Sequence, residues 1–139
     1  MTGGIIEQSQ THDTEGYTAS YAAVSVYGGN VIIDGTIIRN TTMGIGLFIN
    51  HGNIEFKSGK VSAVNGTGFV VFSSTSTVLM SGGTIENDLM LYYTSGGSFT
   101  MTGGTIENKI GGNAIYKDPN STVVFSRTGG NVIGNTFGL

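Results

Sequence analysis

Three glutamates, Glu7, Glu86 and Glu107, each close a Gly-x-Ile-Glu step, and that shared placement is the first arrangement in the chain that could do chemistry. Stacked copies would set Glu86 and Glu107 on adjacent rungs, with carboxylates about 5 Å apart, the separation used by retaining glycosidases. Such an enzyme also needs a cleft and two carboxyl groups in unequal surroundings. Copies of one outward position on a convex face supply neither, so the pair reads as structural. Lys60 and Lys109 are placed to offset the repulsion between like charges on neighbouring rungs.

Other reactive groups are few. His12 lies in the polar stretch Gln8-Ser-Gln-Thr-His-Asp-Thr-Glu-Gly16, where Asp13 and Glu15 could join it around a metal ion. Their spacing fits no zinc signature, and the calcium-binding G-G-x-G-x-D nonapeptide is absent. The second histidine is His51; Asp34, Glu55, Asp88 and Asp118 fall at different phases of the repeat and form no constellation. There is no cysteine, which excludes thiol nucleophiles, disulfides and thiolate metal sites. Neither Gly-x-Ser-x-Gly, nor a P-loop, nor His-Glu-x-x-His occurs. The expectation is a protein without catalytic residues, cofactor or metal.

The elements that must carry these residues are set by an internal repeat. Met80-Ser-Gly-Gly-Thr-Ile-Glu-Asn87 recurs as Met101-Thr-Gly-Gly-Thr-Ile-Glu-Asn108, and Met1-Thr-Gly-Gly-Ile-Ile-Glu-Gln8 is a third copy. Weaker copies begin at Asp34, Ser58 and Thr128, so the anchors are Gly4, Gly35, Gly59, Gly83, Gly104 and Gly130, spaced 31, 24, 24, 21 and 26 residues apart. Each repeat holds three short β-forming runs separated by turns rich in Gly, Asn and Ser, and no stretch keeps a helical apolar period. A unit of this size cannot bury its apolar face alone and must stack on its neighbours. The reading is all-β: a single-stranded parallel β-helix, or β-solenoid, of about 5–6 coils with three short strands each. It forms one domain over residues 1–139, as a fibre subunit or a slice of a longer solenoid. At a strand spacing of roughly 4.8 Å the rod is about 25–30 Å long. An antiparallel sandwich would explain strands and turns but not the repeated octet.

Stacking predicts vertical files of side chains. One comprises Ile6, Ile37, Val61, Ile85, Ile106 and Val132; a second Met1, Phe56, Met80 and Met101, with Ile32 or Ile33 in the gap; a third Val26, Ile49, Phe72, Tyr93 and Tyr116. Gln8, Asn40, Asn65, Asn87, Asn108 and Asn135 form an amide ladder at one corner, bonded to the next rung or to turn backbone. Between the inward residues of the second strand lie Ser25, Phe48, Val71, Tyr92 and Ile115. Phe48, Val71, Tyr92 and Ile115 are therefore expected to form an outward apolar stripe, either an interface with another chain or a platform for sugar rings. Thr36, Thr84 and Thr105 share a phase, but Lys60 and Ile5 interrupt the regular threonine array that ice binding would need.

Charge narrows the partners. Net charge is −3 with six scattered basic residues, which argues against nucleic acid. No apolar run reaches the roughly 18 residues of a membrane helix, and the first residues show no signal peptide. The octet resembles the SGGTI-x-N repeats of bacterial surface and adhesin-type proteins with a right-handed parallel β-helix of the pectate-lyase-like kind. The likeness runs through the whole chain, strongest at 79–108 and weakest at 9–30. It implies display outside the cell or on its surface. Lyases, hydrolases, phage tailspikes and adhesins share that fold, and no catalytic motif of theirs matches a position here, so the likeness transfers a fold without an activity. The expected role is a structural or adhesive rod of a cell surface, extracellular fibre or phage fibre. It would associate as a homo-oligomer or end to end, with carbohydrate binding or cleavage, on a surface polysaccharide, as the alternative.

Overall fold

The computed structural model describes residues 1–9, 21–72, 75–92 and 96–139, and in them the chain winds as a parallel β-solenoid. Its first leg is a six-stranded parallel sheet in the order β1 (Ile5–Gln8), β3 (Thr36–Asn40), β5 (Gly59–Ala63), β8 (Thr84–Glu86), β11 (Thr105–Glu107) and β14 (Asn131–Ile133). The remaining strands form one nine-stranded sheet that turns a corner. Two long strands, β2 (Ala22–Ile33) and β4 (Ile45–Phe56), run through both of its legs. In later rungs the legs separate. β6 (Thr67–Val71), β9 (Leu89–Leu91), β12 (Asn113–Lys117) and β15 (Asn135–Phe137) build the second leg; β7 (Ser76–Met80), β10 (Gly97–Met101) and β13 (Val124–Arg127) build the third. Every pairing is parallel. Among the described residues no helix is long and apolar enough to cross a membrane.

The first leg stacks in register as Ile6, Ile38, Val61, Ile85, Ile106 and Val132. Ile38 replaces the expected Ile37, because residues 34–40 sit one place along from the sequence alignment. Thr36, not Gly35, occupies the glycine position of the second rung. Thr36 is therefore buried and outside the outward file of Ile5, Ile37, Lys60, Thr84, Thr105 and Asn131, which dissolves the threonine array. In the third leg Ile33, Phe56, Met80 and Met101 stack as expected, with Arg127 as the last member, while Ile32 points outward and Met1 is partly exposed at the first rung.

The second leg departs from expectation. Its inner files are Val24, Leu47, Phe69, Leu89 and Ile115, and Val26, Ile49, Val71 and Leu91. Phe72 and Tyr116 are not core residues of that leg, and Tyr93 lies outside the described residues. Burial of these files is nearly total: Leu47, Ile49, Val71, Leu89 and Leu91 are all at 0% exposure. Each such side chain contributes about 1.5–3 kcal/mol through the water it leaves. Methionines close the gaps between rungs. The space a Cβ would need at Gly104 is held by Met80 Cε, 2.6 Å away, and at Gly130 by Met101 Cε, 2.5 Å away. The flexible thioether fills a hollow that exists only because those positions carry no side chain.

Candidate functional site

The amide corner is built from backbone capture rather than from amides stacked on amides. Asn40 is buried; its Nδ2 donates to the carbonyls of Tyr21 (2.7 Å) and Ile45 (3.4 Å), and its Oδ1 accepts from the N–H and hydroxyl of Thr42 (3.0 Å each). Asn87 donates to the carbonyls of Ala63 and Val64 on the rung before, and accepts from the Lys109 N–H on the rung after. Asn108 donates to the Asn113 carbonyl (2.8 Å) and accepts from the Ile110 N–H (3.1 Å). Ala63 holds the third-rung place expected for Asn65, and Asn135 pairs with Asn113 in the second leg. These amides satisfy peptide groups where the chain bends.

The glutamate file is a network of ion pairs. Glu86 meets Lys60 at 2.5 Å and Lys109 at 3.2 Å, Glu107 meets Lys109 at 4.0 Å, and Glu7 meets Arg39 at 2.5 Å. Partial burial alone would raise the Glu86 carboxyl, but hydrogen bonds and attraction from Lys60 and Lys109 hold it below the usual carboxylate range. Glu86 in turn raises the Lys109 ammonium. The lysines thus offset the repulsion of stacked carboxylates.

Of the expected stripe, Phe48 and Tyr92 lie on the outer side of the second leg, whereas Val71 and Ile115 are core residues at 0% exposure. The register shows why. The outward file is Ser25, Phe48, Val70, Met90 and Tyr116. Thr67–Phe72 is apolar on both faces, so its sequence carries no alternation from which to read a phase, and a slip of one residue exchanges inside for outside. Nor is Phe48 open to solvent. It packs with Ile45 and Val70 in a second buried cluster, flanked by Ala22, Phe72, Met90 and Tyr92. Rings run along the rod from Tyr27 to Phe48 (centroids 6.4 Å apart), Phe72 (5.2 Å) and Tyr92 (5.7 Å). Tyr116 stacks on Phe137 at 5.2 Å in the last rungs. Tyr27, 63% exposed, is the ring of this file most open to water.

The third leg carries a shallow groove of about 490 Å³ that the sequence reading missed. One wall is the file Asn30, Asn53, Thr77 and Ser98; the other is Ile32, Glu55, Leu79 and Thr100. Asn53 donates to Asn30 Oδ1 (2.8 Å) and receives the Thr77 hydroxyl, so amides and a hydroxyl are held in a fixed sequence of donors and acceptors. Glu55 pairs with Lys57 at 3.4 Å, which leaves the groove close to neutral.

A second hollow, of about 270 Å³, opens at the corner between first and second legs. Its origin is the length of the corners. Residues 64–66 make the turn from β5 to β6 and 108–112 make it from β11 to β12, but 87–88 alone join β8 to β9. The short corner is recessed between two longer ones, and Asp88 lies at its floor with Asn65, Asn113 and Tyr116 around it. Among the described residues no three His, Cys, Asp or Glu side chains gather as a metal site. The expected cluster of His12, Asp13 and Glu15 lies outside those residues.

Fold and surfaces together define the class: a parallel β-solenoid repeat protein with a charged face, an aromatic face and a neutral grooved face. The chain matches no protein-family model, no curated protein and no solved structure.

Proposed function

We propose that this solenoid is a structural and adhesive rod of a cell surface, extracellular fibre or phage fibre, and that it associates with copies of itself. The observation carrying the reading is the rung-on-rung parallel register, which a second copy can continue through the same backbone pairing. Edge strands of a parallel solenoid present backbone N–H and C=O groups that pair readily with another rung. The resemblance of the octet to surface-protein repeats supports display outside the cell. We also propose that the protein has no catalytic role, since the glutamate file is spent in ion pairs.

The expected result is concentration-dependent assembly in sedimentation velocity at micromolar protein, and rods longer than one chain by electron microscopy. Val132→Lys, which sets a charge in the first-leg file, should shift the population to monomer. A wild-type chain that stays monomeric throughout would overturn self-association. A second reading, binding of an uncharged polysaccharide, is favoured by the neutral groove with its ordered amides and hydroxyl. It predicts glycan-array signals that Thr77→Ala weakens and Val132→Lys leaves intact.

A further inference from the structure

We propose that Asp88 makes the fourth-rung corner a proton-operated latch: the corner is closed while the carboxyl is neutral and loosens when it ionises. The geometry is unusual for this chain. Asn87 and Asp88, at φ +68° and +89°, are consecutive non-glycine residues in the left-handed region, and they form the whole link between β8 and β9. Backbone there costs free energy for any L-residue, least for Asn and Asp, and persists where surrounding bonds over-determine it.

Those bonds converge on the corner. The Gly68 N–H donates to the Asn87 carbonyl (3.1 Å), the Phe69 N–H to the Asp88 carbonyl (3.2 Å), and the Asn87 N–H to the Glu107 carbonyl (2.7 Å). The Asp88 side chain receives the Thr67 hydroxyl and the Gly68 N–H, yet its Oδ1 is buried with no partner among the described residues. A buried carboxylate with one orphaned oxygen is unfavourable, whereas a neutral acid can turn its own O–H to a neighbour or into the adjoining hollow.

The charged groups nearby do not relieve it. Lining the hollow, the titratable residues are Asp88 and Tyr116; Asn65, Thr67, Asn108 and Asn113 are neutral. Lys109, next along from Asn108, directs its ammonium to Glu86 and Glu107. Burial therefore dominates, raising the Asp88 carboxyl to about 7 against an ordinary 3.8, with Thr67 and Gly68 pulling weakly the other way. Because the folded corner holds its proton more tightly than an opened one, closure is favoured at low pH. That preference is lost progressively as pH rises from about 4 to about 7.

The test is hydrogen exchange by NMR at pH 5.5 and 8.5, corrected for intrinsic exchange. With an opened-state value of 3.8, the corner-opening equilibrium of Gly68, Phe69 and Asn87 should rise roughly thirty-fold between those conditions. The Ser81 amide, bonded to the Phe56 carbonyl at another corner, should not change. Asp88→Asn, which keeps the shape and suits a positive φ, should abolish the difference. The side-chain carboxyl ¹³C shift of Asp88 in the unaltered chain gives a readout free of any variant. A midpoint near 7 is expected. A midpoint near 4, equal protection at both pH values, or pH dependence that persists in Asp88→Asn would each overturn the latch.

Discussion

Gly59→Ala is expected to lower the urea midpoint of the solenoid far more than a single glycine-to-alanine change at an open position. Gly59 has φ +104°, where an L-side chain is strained at about 1–2 kcal/mol. The larger effect is steric. Its Cβ would overlap the Thr36 carbonyl oxygen on the rung before and stand 2.8 Å from the Thr36 nitrogen. Those atoms belong to paired backbone, so relief requires the β3–β5 ladder to part, with loss of neighbouring hydrogen bonds. The total exceeds about 4 kcal/mol, a large share of the roughly 5–15 kcal/mol that holds an ordinary domain. Gly3→Ala is the matched control. It also has positive φ, +67°, but nothing among the described residues lies within 4 Å of its Cβ, so it should cost about 1–2 kcal/mol. Urea unfolding followed by circular dichroism compares them. Equal midpoints for the two variants would contradict the close rung-to-rung approach.

Phe69→Ala is the second large effect. Phe69 is fully buried in the middle rung, stacked between Leu47 and Leu89 and meeting Phe99 edge-on at 5.9 Å and 71°. Truncation should cost about 3–5 kcal/mol, because the paired backbone on both sides prevents the file from collapsing into the cavity. The consequence differs from that in a globular core. Rungs contact only their neighbours, so weakening the middle uncouples the two ends. Unfolding should broaden and its denaturant dependence fall, besides the loss in midpoint. Phe137→Ala, at the half-exposed last rung, should cost less than about 1 kcal/mol and leave the transition sharp. A Phe69→Ala transition as sharp as that of Phe137→Ala would argue against the nearest-neighbour architecture.

Which parts of this structure could be read from residues follows from their alternation. Thr84-Ile85-Glu86 sets one apolar residue between two polar ones, and the repeated methionines Met80 and Met101 fix the phase of the third leg, so most of the core files of these two legs follow from the residues. Thr67–Val71 is buried at every position, since a second apolar cluster lies outside the sheet, and that two-sided burial erased the signal that would have placed Val71 inward. Ile115 was misplaced for the same reason, with Ala114 and Tyr116 both apolar beside it. The pair Ile37 and Ile38 offered two equally good core residues, and only the backbone pairing of Thr36 with Gly59 separates them.

Asp88 was missed for a different reason. The repeat drew attention to positions that recur, whereas Asp88 matters because it departs from them, in the shortest first-to-second-leg corner of the three central rungs. The length of that corner was visible, since only two residues separate Glu86 from Leu89, but its meaning depended on the longer corners around it. The groove wall of Asn30, Asn53, Thr77 and Ser98 was likewise present as a small polar residue preceding each core residue of the third leg. It gained meaning only once the rungs were stacked.

The central claim is that consecutive repeats lie directly over one another in parallel register. Methyl NOE spectroscopy on the file Ile6, Ile38, Val61, Ile85, Ile106 and Val132 tests it most directly. The account predicts that the Ile85 methyls show cross-peaks to Val61 and to Ile106, one rung away on either side. It predicts none to Val132, two rungs away at roughly twice the 4.8 Å strand spacing. Cross-peaks from Ile85 to Val132 without those to Ile106, or Ile37 in place of Ile38 within the file, would contradict it.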